Sequence, residues 1–251
     1  MGIRKRFILL PFLAALLAAF AACLPQPDEP VEYLQQPDSI VIQMRVRELH
    51  RDALTQRFEV PVFTLYGDGT LIYTTESEPT RLLQTKLPDD AVRDLLKSIV
   101  DADFLNFSYI QPEPAPQVYW PTTFLYVYTL DLANAVSAYA LDTNLPANAG
   151  DGWDQFRATQ EIAERLRAVD PVALGGSEPE PFVPDAVILF ERIGFRGEFS
   201  ETLIEGERAM ELADEAALGG IVAYQNSMEA GERGYLPILP YQENFPEFDI
   251  Q

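Results

Sequence analysis

Cysteine and histidine are almost absent from this chain: its 251 residues include one cysteine, Cys23, and one histidine, His50. A lone cysteine cannot form a disulfide within the chain, so disulfides do not contribute to the fold. A structural zinc site needs several cysteine or histidine ligands and is excluded. A catalytic triad or dyad would have to use His50, which lies between Arg47 and Asp52. A lone histidine more often serves structure or faces solvent.

Lysine is the next scarce residue, with Lys86 and Lys97 the only two beyond residue 22. Acidic residues dominate the charge, with 39 Asp and Glu against 18 Lys and Arg, which gives a formal net charge of -21 at pH 7. Such an acidic surface repels phosphates and anionic headgroups. Nucleic acid is therefore excluded as a partner, and charge does not explain attachment to a membrane.

Nucleotide-binding and nucleophile motifs are missing as well. The sequence contains neither a P-loop nor a G-x-G-x-x-G fingerprint, and Gly175-Gly176-Ser177-Glu178 lacks the flanking pattern of a nucleophile elbow. Carboxylate pairs such as Asp89 with Asp90 are frequent. With so many acids, their proximity in sequence carries almost no information. The sequence predicts no catalytic residue, no cofactor and no defined metal site, and it leaves a loosely held Ca²⁺ open.

The first 22 residues carry a targeting pattern. Arg4, Lys5 and Arg6 precede the uncharged run Phe7 to Ala22. This run would form about 24 Å of helix at about 1.5 Å per residue, which is short against a bilayer core of about 30 Å. Pro11 weakens the helix further. The pattern predicts an export signal rather than a permanent span.

The boundary Phe20-Ala21-Ala22-Cys23 resembles the lipobox of bacterial lipoproteins. The resemblance covers only the first tenth of the chain, and Phe20 departs from it because an aliphatic residue is usual there. It implies that diacylglycerol is attached to Cys23, that the chain is cleaved before it, and that fatty acids such as palmitate anchor the mature protein. The alternative is an ordinary signal peptide or short anchor in which Cys23 is incidental.

The chain beyond the signal divides by composition. We predict a signal peptide over 1–22, a lipidated cysteine with a proline- and acid-rich tether over 23–38, and an α+β domain over 39–172. The segment 173–251 is predicted to complete the same domain. The proline-rich stretch that follows Cys23 is typical of a stiff, extended spacer.

Hydrophobic periodicity predicts an α+β fold, with a mainly antiparallel sheet built from hairpins and two helices packed on one face. Apolar residues alternate over 39–48, and two β-rich runs flank the turn Gly67-Asp68-Gly69. A core-facing stripe follows Pro88, which suits a helix start. A second hairpin is predicted with Ala133-Asn134 at its turn, and a second helix over 151–170.

The proline-rich loop 110–123 contains Tyr119 and Trp120, the most site-like pair in the sequence. An aromatic residue on a stiffened loop can anchor a protein partner; alternatively, Trp120 covers the edge of the core.

We favour a binding or structural lipoprotein on the extracytoplasmic face of a bacterial membrane, with a possible protein partner in the envelope. The alternatives are a carboxylate-based hydrolase of envelope polymers and an inhibitor or accessory subunit of an envelope complex.

Overall fold

The computed structural model describes residues 30–47, 61–75, 82–107, 120–142, 152–192, 199–206 and 233–237. The chain divides into two compact units, Met1–Pro30 and Val31–Gln251. Three residues singled out in the sequence, Cys23, His50 and Tyr119, lie outside the described residues. In the part of the chain that is described, no helix is both long and apolar enough to cross a bilayer.

Seven antiparallel strands form the main sheet, in the spatial order β6-β5-β1-β2-β3-β4-β7. Their bounds are β1 Ile40–Arg47, β2 Phe63–Tyr66, β3 Thr70–Thr74, β4 Leu82–Lys86, β5 Thr122–Tyr128, β6 Ala133–Tyr139 and β7 Glu180–Pro181. β1 is central because it pairs with β2 on one side and with β5 on the other. Hairpins therefore flank the first strand on both sides, which confirms the predicted sheet.

Two helices accompany this sheet, α1 Asp89–Val100 and α2 Trp153–Arg167, with a 3-10 turn at Phe104–Asn106. Pro88 precedes α1, acidic residues occupy its first turn, and Lys97 lies in its last turn. This charge order matches the helix dipole. The apolar stripe of α1 is buried as its periodicity predicts, with Val92 and Leu96 fully covered.

The core lies on one face of the sheet. Ile42 and Met44 of β1 are buried in a single cluster with residues of both helices, because alternate side chains of a strand point to the same face. The prediction of two helices packed on one face is therefore confirmed. The opposite face holds a smaller apolar cluster that includes Tyr66 and Ile72. It also holds the buried Gln43, whose Nε2 donates to Thr64 Oγ1 at 3.2 Å.

The C-terminal part of the chain contributes to two sheets. β7 pairs with β4 at the edge of the main sheet. The strands β8 Ala186–Arg192, β9 Phe199–Glu205 and β10 Arg233–Pro237 form a separate antiparallel sheet in the order β10-β8-β9. Both sheets belong to the unit Val31–Gln251.

The second hairpin turns earlier than predicted. β6 already begins at Ala133, and Thr129 N donates to Leu132 O at 2.8 Å to close the turn. The prediction that Ala133-Asn134 forms the turn is wrong, because both residues belong to β6. The side chain of Asn134 donates hydrogen bonds to two backbone carbonyl groups instead of closing a turn. Its Nδ2 donates to Phe104 O at 2.8 Å and to Phe107 O at 3.0 Å.

Candidate functional site

A cavity of about 400 Å³ opens where the N-terminal segment of the folded unit meets the β2–β3 turn and the start of α1. We call residues 31–36 the leading segment, because they open the compact unit Val31–Gln251. The residues that line the cavity are Tyr33, Gln35, Gly67, Asp68, Gly69, Leu87 and Asp89. Three separate stretches of sequence therefore build it.

The β2–β3 turn supplies the first carboxylate. Gly69 adopts a left-handed conformation with φ +85°, which favours glycine, and its N donates to Tyr66 O at 2.9 Å. Asp68 Oδ1 accepts from Thr70 N at 2.9 Å, as expected of an aspartate that caps its own turn. Lys86 Nζ donates to Asp68 Oδ2 at 2.5 Å and joins the turn to the end of β4.

The first turn of α1 supplies the second carboxylate, Asp89. Its Oδ1 accepts from Tyr33 Oη at 2.5 Å and from Gln35 Nε2 at 2.8 Å, while its Oδ2 accepts from Arg93 Nε at 2.8 Å. Arg93 also donates to Glu32 Oε1 at 3.0 Å, and its guanidinium lies 5.4 Å from the ring centre of Tyr33. Asp89 and Arg93 thus fasten the leading segment to α1.

Both carboxylates are held in the ionised form. Burial alone would raise the pKa of Asp68, but hydrogen bonds from Lys86 and Thr70 outweigh it, and the net pKa is lowered. The hydrogen bond from Tyr33, followed by that from Arg93, lowers the pKa of Asp89. Burial and the bond to Asp89 raise the pKa of Tyr33, so its phenol keeps its proton.

The charged groups of the cavity determine which ligands it can bind and which reactions it can support. Lys86 and Arg93 already pair with Asp68 and Asp89. The cavity therefore offers hydrogen-bond acceptors to a small ligand that donates hydrogen bonds, rather than an uncompensated negative charge. Hydrolysis by a carboxylate pair needs one protonated acid with a raised pKa. Asp68 and Asp89 are both shifted the other way, so neither supplies that proton near neutral pH. Among the described residues, no group of three or more ligating side chains is placed to hold a metal.

We expect Asp89→Asn to weaken the folded state near neutral pH and to reduce its sensitivity to acid. The folded-state pKa of Asp89 lies below its unfolded value of about 3.9. The contribution of Asp89 to the free energy of unfolding is therefore fully present at pH values above the unfolded pKa. It is lost as the pH falls through the folded pKa. The side chain is 54% exposed, which limits the loss to about 1 kcal/mol.

Unfolding by urea at pH 7 and at pH 3 measures this contribution. The difference between wild type and Asp89→Asn should shrink on acidification. Asp94→Asn, on the exposed side of the same helix, is the matched control. An equal loss of stability at both pH values in Asp89→Asn would contradict the assignment.

Of the predicted site residues, only Trp120 is described. It lies just before β5 and is 43% exposed, with its backbone N donating to Tyr139 Oη at 3.3 Å. Sequence reasoning missed the cavity, because Tyr33 and Asp89 lie far apart in the chain and no local pattern connects them. No protein-family model, curated protein or solved structure matches this chain.

Proposed function

We propose that this protein is a lipid-anchored binding module on the extracytoplasmic face of a bacterial membrane. The observation that carries the proposal is the sequence Phe20-Ala21-Ala22-Cys23 at the end of a charge-free run with a basic start. Attachment of diacylglycerol to the Cys23 sulfur, with cleavage of the Ala22–Cys23 peptide bond, would leave a mature chain with Cys23 at its amino terminus. The attached fatty chains would hold this chain on the lipid surface.

The charge of the mature chain supports a covalent anchor. Removal of residues 1–22 takes away three cations and no acids, which leaves 15 Lys and Arg against 39 Asp and Glu, a formal charge of -24. Anionic headgroups repel such a chain. Two or more acyl chains overcome this repulsion, at about 0.8 kcal/mol per buried CH₂ group.

Mass measurement of the intact protein, purified in detergent from its native host, tests the anchor. We expect a mass equal to that of the chain from Cys23 to Gln251 plus its acyl groups. A protein that begins upstream of Cys23, or that ends its processing with a free thiol, would refute the anchor. The fold described above would be unaffected by that result.

The exposure of Trp120 supports a role in binding a protein partner. A tryptophan that is partly buried and partly open to solvent combines a fixed position with a large apolar contact area. Its backbone hydrogen bond to Tyr139 ties it to the end of β6. Trp120, together with the neighbouring Tyr119, is therefore the proposed contact for an envelope protein.

We expect Trp120→Ala to weaken retention of that partner by about 30-fold or more, the effect of losing an interface residue worth at least about 2 kcal/mol. The measurement is affinity capture from detergent-solubilised native membranes, followed by titration of the retained protein. Leu203→Ala is the control, since Leu203 is also strongly exposed, at 56%. Undiminished retention by Trp120→Ala would remove Trp120 from the interface.

A further inference from the structure

Three strongly exposed leucines lie close to the start of the folded unit. Leu34 is 51% exposed, Leu130 is 55% exposed and Leu132 is 59% exposed. Leu130 and Leu132 belong to the turn between β5 and β6, and Leu34 belongs to the leading segment. Leu130 N donates to Glu32 O at 2.8 Å, which joins the two segments directly. We call Leu130 and Leu132 the leucine tip.

The turn that presents two of these leucines is well fixed. Thr129 N and Thr129 Oγ1 both donate to Leu132 O at 2.8 Å, and Leu132 N donates to Thr129 Oγ1 at 3.0 Å. The turn joins two paired strands of the main sheet. The leucines are therefore held outward by hydrogen bonds, and little ordering is needed when they meet a surface.

We propose that the leucine tip contacts the membrane to which Cys23 is anchored; this inference rests on the proposed function. Seven residues, Leu24 to Pro30, separate Cys23 from the leading segment. Even fully extended, the chain from Cys23 to Val31 reaches at most about 29 Å. An anchor at Cys23 would therefore limit how far the leading segment can stand from the lipid, and this reach allows the turn bonded to it to meet the surface.

Neighbouring acids set the depth and the lipid preference of this contact. Asp131 lies between the two leucines of the turn. Glu32 and Asp89 are already paired with Arg93, and Asp68 with Lys86, so the repulsion comes from Asp131 and from the net acidic charge of the mature chain. Carboxylates stay in the headgroup region and are repelled by anionic lipids. The contact is therefore shallow, and zwitterionic lipid favours it over anionic lipid.

A fluorescent label in the turn tests the contact. Acylation occupies Cys23, so Asp131→Cys provides a single thiol for a nitrobenzoxadiazole label in the full-length acylated protein. We expect its emission to shift to shorter wavelength in vesicles of phosphatidylcholine and phosphatidylethanolamine, and spin-labelled acyl chains to quench it. Added phosphatidylglycerol should reduce both effects, because the mature chain stays strongly acidic without Asp131.

The matched variant is Asp131→Cys with Leu130→Ser and Leu132→Ser, which keeps the label and the charge. We expect it to lose the shift and the quenching while its circular dichroism spectrum stays unchanged. Asp131→Cys with Leu203→Ser should keep both effects, since Leu203 lies in the separate sheet. Retention of the effects in the double-serine variant would refute the role of the leucines.

The remaining outcomes separate the two proposals. If the intact mass shows acylation but the label stays in water, the tip contact is wrong and the anchor stands. If the emission shifts without quenching by spin-labelled lipid, protein covers the tip and the lipid assignment is wrong. If the mass shows no acyl group, the anchor fails and the inference fails with it.

Discussion

Gly69→Ala is expected to destabilise the protein by about 2–5 kcal/mol. Gly69 has φ +85°, a conformation that costs an alanine about 1–2 kcal/mol. An added Cβ would also lie 2.3 Å from Leu87 O. That oxygen belongs to backbone that cannot rotate aside, and Leu87 N itself donates to Gly69 O at 2.8 Å. The turn and the end of β4 would have to separate.

Gly206→Ala separates the two causes of this loss. Gly206 also has a positive φ, +70°, but no atom lies within 4 Å of its added Cβ. We expect this control to lose only the conformational part, about 1–2 kcal/mol. Urea unfolding of both variants gives the two free energies. Equal losses would show that the close approach to Leu87 does not constrain the turn.

Cys23→Ala is expected to abolish incorporation of labelled palmitate in the native host. The sulfur of Cys23 is the proposed attachment atom, and alanine offers no replacement. Without acyl chains the strongly acidic mature chain has no attraction to headgroups. The protein should therefore no longer be recovered in its mature, membrane-bound form, which fractionation and intact mass would both detect.

Leu24→Ala is the matched control for this experiment. It changes the residue next to Cys23 and keeps the sulfur, so acylation and membrane recovery should persist. Palmitate incorporation into Cys23→Ala at the wild-type level would place the lipid elsewhere. Loss of incorporation in both variants would point to a failure of export and would leave the role of the sulfur undemonstrated.

Local patterns predicted the elements that local interactions determine. The alternating run over 39–48 became β1, the glycine turn at 67–69 joined β2 to β3, and the stripe after Pro88 became α1. In each case the deciding signal is the periodicity of apolar side chains, a residue that favours a turn, or a residue that favours a helix end. Neighbours in sequence carry these signals, so they can be recognised without knowledge of the fold.

Elements that depend on distant partners were not predictable in the same way. Asn134 is a common turn former, yet it lies in β6 because two carbonyl groups near the end of α1 take its hydrogen bonds. We included residues 31–36 in the tether, yet Tyr33 is buried and its Oη donates to Asp89 of α1. The pairing of β1 with β5 likewise has no local signature.

The central position of β1 determines when the sheet can be completed. During synthesis, residues 40–47 emerge shortly before β2, but their other partners, residues 122–127, emerge much later. Until then one side of an apolar strand has unpaired backbone groups, which can template pairing with another chain. Closing this long loop is slow compared with forming the hairpins. The newly made protein is therefore most prone to aggregation before β5 docks.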